Sequence, residues 1–156
     1  MTTWERKYTV VVPGLSRADV WNAWRDVNNW HRWDTDLEYA RLDGSFAAGQ
    51  QFTLKPNGGP RVRITLEAVE HLTSYTDLTH FPLARMWGVH EMSETTTGLE
   101  LRCCIRVQGP LSFLWRKLVA EGVANGLEKQ TRQLIAYVRE QERHAETHQQ
   151  REPTPA

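Results

Sequence analysis

Residues 20–34, VWNAWRDVNNWHRWD, carry Trp21, Trp24, Trp30 and Trp33 within one short stretch flanked by polar residues. Indoles at that density need a large apolar surface to pack against. Immediately upstream, Ser16-Arg17-Ala18-Asp19 has the form of a capping box: a hydroxyl to accept from an orphan helix N–H, and a carboxylate three residues on to reach back. The pattern predicts a helix that starts near Ser16. Val20, Trp24 and Val27 then fall on one helical face. Asn28 and Asn29, poor inside helices and good as caps, divide off a second short helix carrying Trp30 and Trp33.

Outward from this pair the period changes. Upstream, Tyr8 to Val12 is aromatic and β-branched and ends at Pro13-Gly14, which reads as a strand. Downstream, residues 37–42, 51–55, 62–69, 75–80, 86–93 and 99–108 are short runs rich in strand formers. Turn chemistry at Asp43-Gly44, residues 56–60 (PNGGP), Phe81-Pro82 and Thr97-Gly98 separates most of them. The order predicts an antiparallel meander. Opposed residues in a hairpin have a constant index sum, so each turn sets a register. About Gly58, Phe52 opposes Ile64 and Leu54 opposes Val62, which leaves Arg61, Arg63 and Glu67 outside. About the turn at residues 95–98, Met92 opposes Leu101, His90 opposes Cys103 and Gly88 opposes Ile105, with Arg102 and Arg106 outward. Extending the registers through the next turns puts Tyr75 opposite His90 and sets Tyr75, Asp77 and Thr79 on the inward face.

From Gly109-Pro110 the period is helical, with proline near a first turn where its missing N–H costs little. Leu111, Leu114, Trp115 and Leu118 begin an apolar stripe that drifts through Val119, Val123 and Leu127 toward Leu134 and Val138, which predicts a bend or break near Gly122 or Gly126. Residues 144–156 are too polar to pack and read as a disordered tail behind a single domain spanning residues 1–143. The whole pattern is that of an α+β domain.

Composition narrows the function. The chain has 156 residues, 40% of them hydrophobic, which is enough for a core without staples. Lys+Arg and Asp+Glu are both 19, so no charge surplus argues for nucleic acid or an anionic surface. Cys103 and Cys104 are strand neighbours on opposite faces and do not suit a mutual disulfide, which fits a reduced, cytoplasmic setting. The apolar run at residues 10–12 is too short for a signal core or a span, so no stable membrane insertion is expected. P-loop, GxGxxG, HExxH, CxxC and GxSxG words are all missing, and no cofactor is expected. His144 and His148 could share a helix face, but no third metal ligand accompanies them.

The polar exceptions on the inward face are the candidate chemistry. A carboxylate such as Asp77 beside an imidazole such as His90 can fix its tautomer and raise its basicity, which makes the pair a general acid/base candidate. A structural hydrogen-bonded cluster is the competing reading. Gly122 and Gly126, on or near the stripe that faces the sheet, leave room for a cavity or else permit close contact or a kink. Phe52, Leu54, Ile64, Leu66, Met86, Met92 and Leu101 line such a cavity if it exists and are ordinary core if it does not. The outward arginines read as a solvated face, and the tryptophan cluster as core or cavity rim.

Strand, two short helices, six strands and a long terminal helix is an order that resembles the helix-grip domains grouped as START/Bet v 1-like, or SRPBCC, proteins. The residues that carry the likeness are Val20-Trp21 with Asp26 through Trp33-Asp34, Asp43-Gly44, Gly49, Tyr75-Thr76-Asp77, Leu83-Ala84-Arg85-Met86 with His90, and Gly109-Pro110-Leu111. They are most similar to the bacterial polyketide cyclase/dehydrase-like branch, from which the chain departs at Glu128-Lys129, where relatives tend to carry a proline. The resemblance implies a seven-stranded antiparallel sheet wrapped around the long C-terminal helix, with an apolar cavity between them. A small polyketide-, lipid- or aromatic-like ligand is expected there, and the registers and helix stripe above make Trp24, Trp30, Tyr75, Thr79, Gly88, Cys103, Leu118, Gly122 and Gly126, with the apolar residues already named, the residues to hold it. Two alternatives stand beside binding: an enzyme of cyclase, aromatase or dehydratase type using His90 with Asp77, and an interaction module resembling helix-grip co-chaperones.

Overall fold

In the computed structural model, which describes residues 3–151, the alternating runs become β1 (Trp4–Val12), β2 (Leu37–Leu42), β3 (Gln51–Pro56), β4 (Val62–Glu70), β5 (Ser74–Phe81), β6 (Ala84–Thr95) and β7 (Gly98–Gln108). They form one antiparallel sheet in the order β1-β7-β6-β5-β4-β3-β2. Every neighbouring pair except β1 and β7 is also consecutive in sequence, so local turns set most of the registers. Phe52 opposes Ile64, Tyr75 opposes His90, and His90 opposes Cys103, as the index sums require. A bulge at Glu67 lets Leu66 oppose Asp77 while Ala68 opposes Thr76.

Between β1 and β2 lie α1 (Arg17–Arg25) and a 3-10 helix (Val27–Arg32). The Ser16 side chain accepts from the Asp19 N–H, as a cap should. Trp30 sits in the 3-10 helix and donates its indole N–H to the Trp24 carbonyl, satisfying an orphan at the end of α1. Asn28 then imitates a strand residue: its amide donates to the Leu42 carbonyl and accepts from the Leu42 N–H, pinning the 3-10 helix to β2. Val20, Trp21, Trp24, Val27, Trp30 and Trp33 are all buried against Phe52, Leu66, Tyr75, Leu101, Leu134 and Val138.

The C-terminal helical run is broken into α2 (Ser112–Trp115), a π-helical turn (Arg116–Ala120), α3 (Glu121–Asn125) and α4 (Leu127–Arg151), with the break at Gly126. Gly109 has φ 130° and passes so close to the β5–β6 turn that a Cβ would lie 2.5 Å from the Leu83 carbonyl oxygen. The Leu111 N–H donates to that same carbonyl, and the Trp115 indole to the Pro82 carbonyl, tying α2 to the turn.

Two expectations differ from the structure. Leu118 and Gly122 point outward, Leu118 being 65% exposed, and beyond the local helix backbone no atom lies within 4 Å of a Cβ built on Gly122. The π turn explains this: one extra residue in a turn rotates everything after it by about 100° relative to an unbroken α-helix. The alanines at 120 and 124 take the sheet-facing places instead. Helix α4 also continues through Arg151, past the boundary expected at His144. Residues 144–151 are helical yet exposed, and residues 152–156 of the expected tail lie outside the described residues.

Candidate functional site

The inward face divides into two apolar clusters. One joins α1, the 3-10 helix, β2–β4 and the middle of α4. The other joins Met86, Cys103, Ile105 and Val107 to Ala120, Ala124 and Leu127. Asp77, His90, Cys103 and Thr131 form a polar group where these clusters meet.

Gly88 makes the group possible. It opposes Asp77 across the β5–β6 ladder, and a Cβ on it would lie 2.8 Å from both carboxylate oxygens. The carboxylate therefore occupies space that any other residue would fill, and from there Asp77 Oδ2 reaches to 3.6 Å from His90 Nε2. On the other side of the ring, His90 Nδ1 lies 3.6 Å from Cys103 Sγ. The imidazole is held in place by stacking on Tyr75, with ring centroids 4.4 Å apart and planes inclined by 11°, and by the edge of Trp24 at 6.2 Å. Carboxylate, imidazole and thiol thus stand in line across three adjacent strands. Both ion-pair side chains are largely buried, His90 12% and Asp77 17% exposed.

The electrostatics follow from that packing. Burial pulls the His90 imidazole down, but the neighbouring Cys103 charge, the Asp77 carboxylate and the Cys103 contact together outweigh it and push the group up to about 10. Burial raises the Cys103 thiol, and His90 more than reverses this, leaving it below its ordinary value. Tyr75 is pushed well above its ordinary value, first by burial and then by Asp77, Cys103 and Asp34, so it is a neutral phenol. The arrangement favours a protonated imidazole beside the carboxylate and eases loss of the Cys103 proton.

A small cavity of about 10 Å³ lies at this group, lined by Trp24, Trp33, Tyr75, His90, Leu101, Cys103, Gln130, Thr131 and Leu134. That is room for about one water. The roomy cavity implied by the resemblance is filled in this conformation by indole, phenol and leucine side chains. Of the residues expected to line it, Trp24, Tyr75, His90, Leu101 and Cys103 do so. Trp30, Phe52, Ile64, Leu66 and Met92 are core around it, and Leu54 is half-buried against that core. Met86 belongs to the second cluster, and Thr79 opposes Met86 with a buried hydroxyl that has no partner among the described residues. Gly126 is half-buried at the helix break.

The sequence reading placed Trp33 only within the tryptophan cluster, as core or cavity rim, and missed Gln130 and Thr131 as wall residues. Thr131 sits three residues before Leu134 and four after Leu127, so a polar residue within the apolar stripe was the available signal. Its hydroxyl donates to the Leu127 carbonyl at 2.8 Å while its oxygen lies 3.9 Å from Cys103 Sγ. Gln130 donates to buried Asp34 at 2.9 Å, and Lys129 and Gln133 bond Asp36 and Thr35, so this end of α4 is latched to residues 34–36. Among the described residues, no three His, Cys, Asp or Glu side chains converge so as to hold a metal ion, and no helix is long and apolar enough to cross a membrane.

Comparison with known proteins fits this architecture. No curated protein matches the sequence. Among solved structures, the di-domain ARO/CYC StfQ from the steffimycin biosynthetic pathway is similar at 13% identity and a TM-score of 0.71, covering 89% of this chain and 51% of that one. Norcoclaurine synthase from Thalictrum flavum is similar at 10% identity and 0.67, covering 88% and 86%. Ara h 8.0201 is similar at 15% identity and 0.65, covering 88% and 97%. At these identities the likeness concerns the fold. A family model described as "Polyketide cyclase / dehydrase and lipid transport" matches residues 3–139. With that match spanning nearly the whole domain, the chain belongs to the polyketide cyclase/dehydrase and lipid transport family of the SRPBCC, or START/Bet v 1-like, superfamily.

Proposed function

We propose that the protein binds a small apolar molecule carrying one polar group, with the apolar body between sheet and helix and the polar group at His90. The observation that carries this reading is the cavity itself: aromatic and aliphatic walls closing on a single polar end made by His90, Cys103 and Thr131. The family's description points the same way.

A ligand larger than water requires a wall to move, and the structure offers one. Across α2, the π turn and α3, only Ala120 and Ala124 are buried. Each buried methyl contributes about 0.8 kcal/mol, and the rest of the hold is concentrated at α2, where Trp115 stacks on Phe81 with centroids 4.5 Å apart and donates to the Pro82 carbonyl. The opposite end is latched through Asp34, Thr35 and Asp36. Withdrawal of residues 112–125 would extend the cavity from Cys103 along Met86 and Ile105, which lie beneath those alanines.

Native mass spectrometry of gently purified protein tests the binding, together with uptake of an environment-sensitive apolar dye. The expected result is a co-purified apolar ligand or saturable dye uptake that the ligand displaces. Protein free of ligand and indifferent to the dye would end this reading. Replacing His90 with Ala should weaken polar-headed aromatic ligands more than their deoxy analogues, because the buried hydrogen bond is what tells them apart.

A second reading, an enzyme of cyclase or dehydratase type, is favoured by the Asp77–His90 pair, which can hold and return a proton beside a ligand carbonyl. Turnover that is lost in His90→Ala and depressed in Asp77→Asn with little change in binding would support it. Equal turnover in wild type and His90→Ala would end it.

A further inference from the structure

The thiol of Cys103 lines the cavity in the readings above but has no chemical part in them, and it occupies an unusual position. Its Sγ lines the cavity and faces an imidazole that is backed on its far side by a carboxylate, each contact being 3.6 Å. Cys104, the next residue, is half-buried on the other face of β7 and has no such neighbours.

We propose that Cys103 is a nucleophile whose Sγ adds to the β-carbon of an α,β-unsaturated carbonyl compound admitted to the cavity, with His90 as the proton carrier and Asp77 as the residue that positions and charges it. This rests on the cavity being the ligand site.

The groups facing Sγ leave one route for its proton. From α4 come only the uncharged Gln130 and Thr131, and Thr131 directs its proton to the Leu127 carbonyl. From β1 comes Tyr8, opposite Cys103 in the ladder, and from β5 come Tyr75 and Asp77. Among the described residues, His90 on β6 is thus the basic group within reach. It takes the thiol proton, and Asp77 stabilises the resulting imidazolium as the carboxylate of a catalytic triad does.

The addition then balances without an outside reagent. The sulfur lone pair forms the C–S bond, the C=C π bond breaks, and its electron pair moves through the α-carbon to the carbonyl oxygen as an enolate. The proton held on His90 passes to the α-carbon, which regenerates neutral imidazole and leaves a thioether. Reversal releases the unsaturated compound and restores the thiol.

Conjugate addition suits the site better than acyl transfer. Cys103 lies mid-strand, paired with Tyr8 on one side and His90 on the other, so its backbone N–H belongs to the ladder. An acyl-transfer site needs free N–H donors converging on an oxyanion, and a central strand supplies none. The elevated thiolate fraction that the imidazolium confers is the property on which soft addition depends.

The test uses the full chain and methyl vinyl ketone, read by intact mass and peptide mapping, at several pH values between about 6 and 8. Cys103 should be alkylated at least about tenfold faster than Cys104, at a rate that climbs less steeply with pH than an ordinary thiol's, because His90 holds its thiol below the usual value. In His90→Gln the rate at Cys103 should fall and should climb about tenfold per pH unit, as an ordinary thiol below its pKa does. Asp77→Asn should lie between the two. Should His90→Gln fail to fold, the steepness of the wild-type profile against that of Cys104 decides alone. Cys103 left unmodified while Cys104 reacts, or a wild-type profile as steep as an ordinary thiol's, overturns the proposal. Dye uptake by Cys103→Ser keeps the two readings apart. Dye binding with an inert Cys103 retires the nucleophile and leaves the binding site standing. A reactive Cys103 without dye binding retires the apolar-ligand reading, and with it the ligand class proposed here.

Discussion

Gly88 shows how little freedom the polar group has, since the Asp77 carboxylate rests where its Cβ would be. Gly88→Ala should cost about 1–3 kcal/mol through overpacking. The same change in an Asp77→Ala background should cost much less, giving a coupling of about 1 kcal/mol or more in a double-mutant cycle followed by urea denaturation. Additive costs would mean that the carboxylate moves aside freely. The His90–Cys103 pair makes a second expectation, whose sign comes from counting protons. His90 is raised from 6.5 to about 10, so its contribution is fully present below pH 6.5 and is lost as pH rises through about 10. Cys103 is lowered from 9.0, so its contribution is present above pH 9.0 and is lost as pH falls through its folded value. Between 6.5 and 9.0 the two contributions therefore oppose each other. Across that interval, the stability difference between wild type and a His90→Gln/Cys103→Ser variant should change less with pH than His90 alone would make it. A difference as steep as a lone raised histidine gives would show that Cys103 does not share the proton with His90.

At the scale of elements, the β5–β6 turn presents Leu83 at φ 56° and 65% exposed, a left-handed conformation in which a Cβ is unfavourable. Leu83→Asn should raise stability by up to about 1 kcal/mol in a denaturant melt, and a loss would mean that Leu83 packs in a way its exposure hides. Ending the chain at Arg143 should change stability by less than about 0.5 kcal/mol, because residues 144–151 extend α4 without burying a side chain; a large drop in melting temperature would contradict this. These elements also show what the sequence disclosed. The strand registers, and with them the alignment of Tyr75, His90 and Cys103, were legible because the turns at Gly58, Pro82-Leu83 and residues 95–98 set the index sums and the side-chain period of two carries the register inward. The rotation of the π turn and α3 was not, because a π turn leaves no mark on the hydrophobic stripe and displaces Leu118 and Gly122 by one residue's turn. The role of Trp33, Gln130 and Thr131 depends on where α4 crosses the sheet, which no single element's pattern contains.

For the whole molecule, the distribution of apolar contact sets where it opens. The larger cluster locks α1, the 3-10 helix, most of the sheet and α4 into one body, while the smaller one is closed over by two alanines and Leu127. Local opening is drawn from the regions of least buried apolar surface. Amide hydrogens of residues 112–125 should accordingly exchange well before those of β5, β6 and β7, with the boundary near Gly126, where α3 ends and the latched part of α4 begins. A bound ligand that bridges sheet and helix should slow exchange in residues 112–125 most, since the folded-and-closed state gains the ligand's binding energy and the open one does not. The two outcomes to compare are protection confined to this segment and protection spread evenly over the chain. Even protection would place the entrance elsewhere, at the Trp33–Gln130 end, and would require the bonds of Asp34, Thr35 and Asp36 to α4 to break first. Cutting that latch with Gln130→Ala then separates the cases: accelerated ligand exchange marks the Trp33 end as the entrance, and an unchanged rate leaves it with α2 and α3.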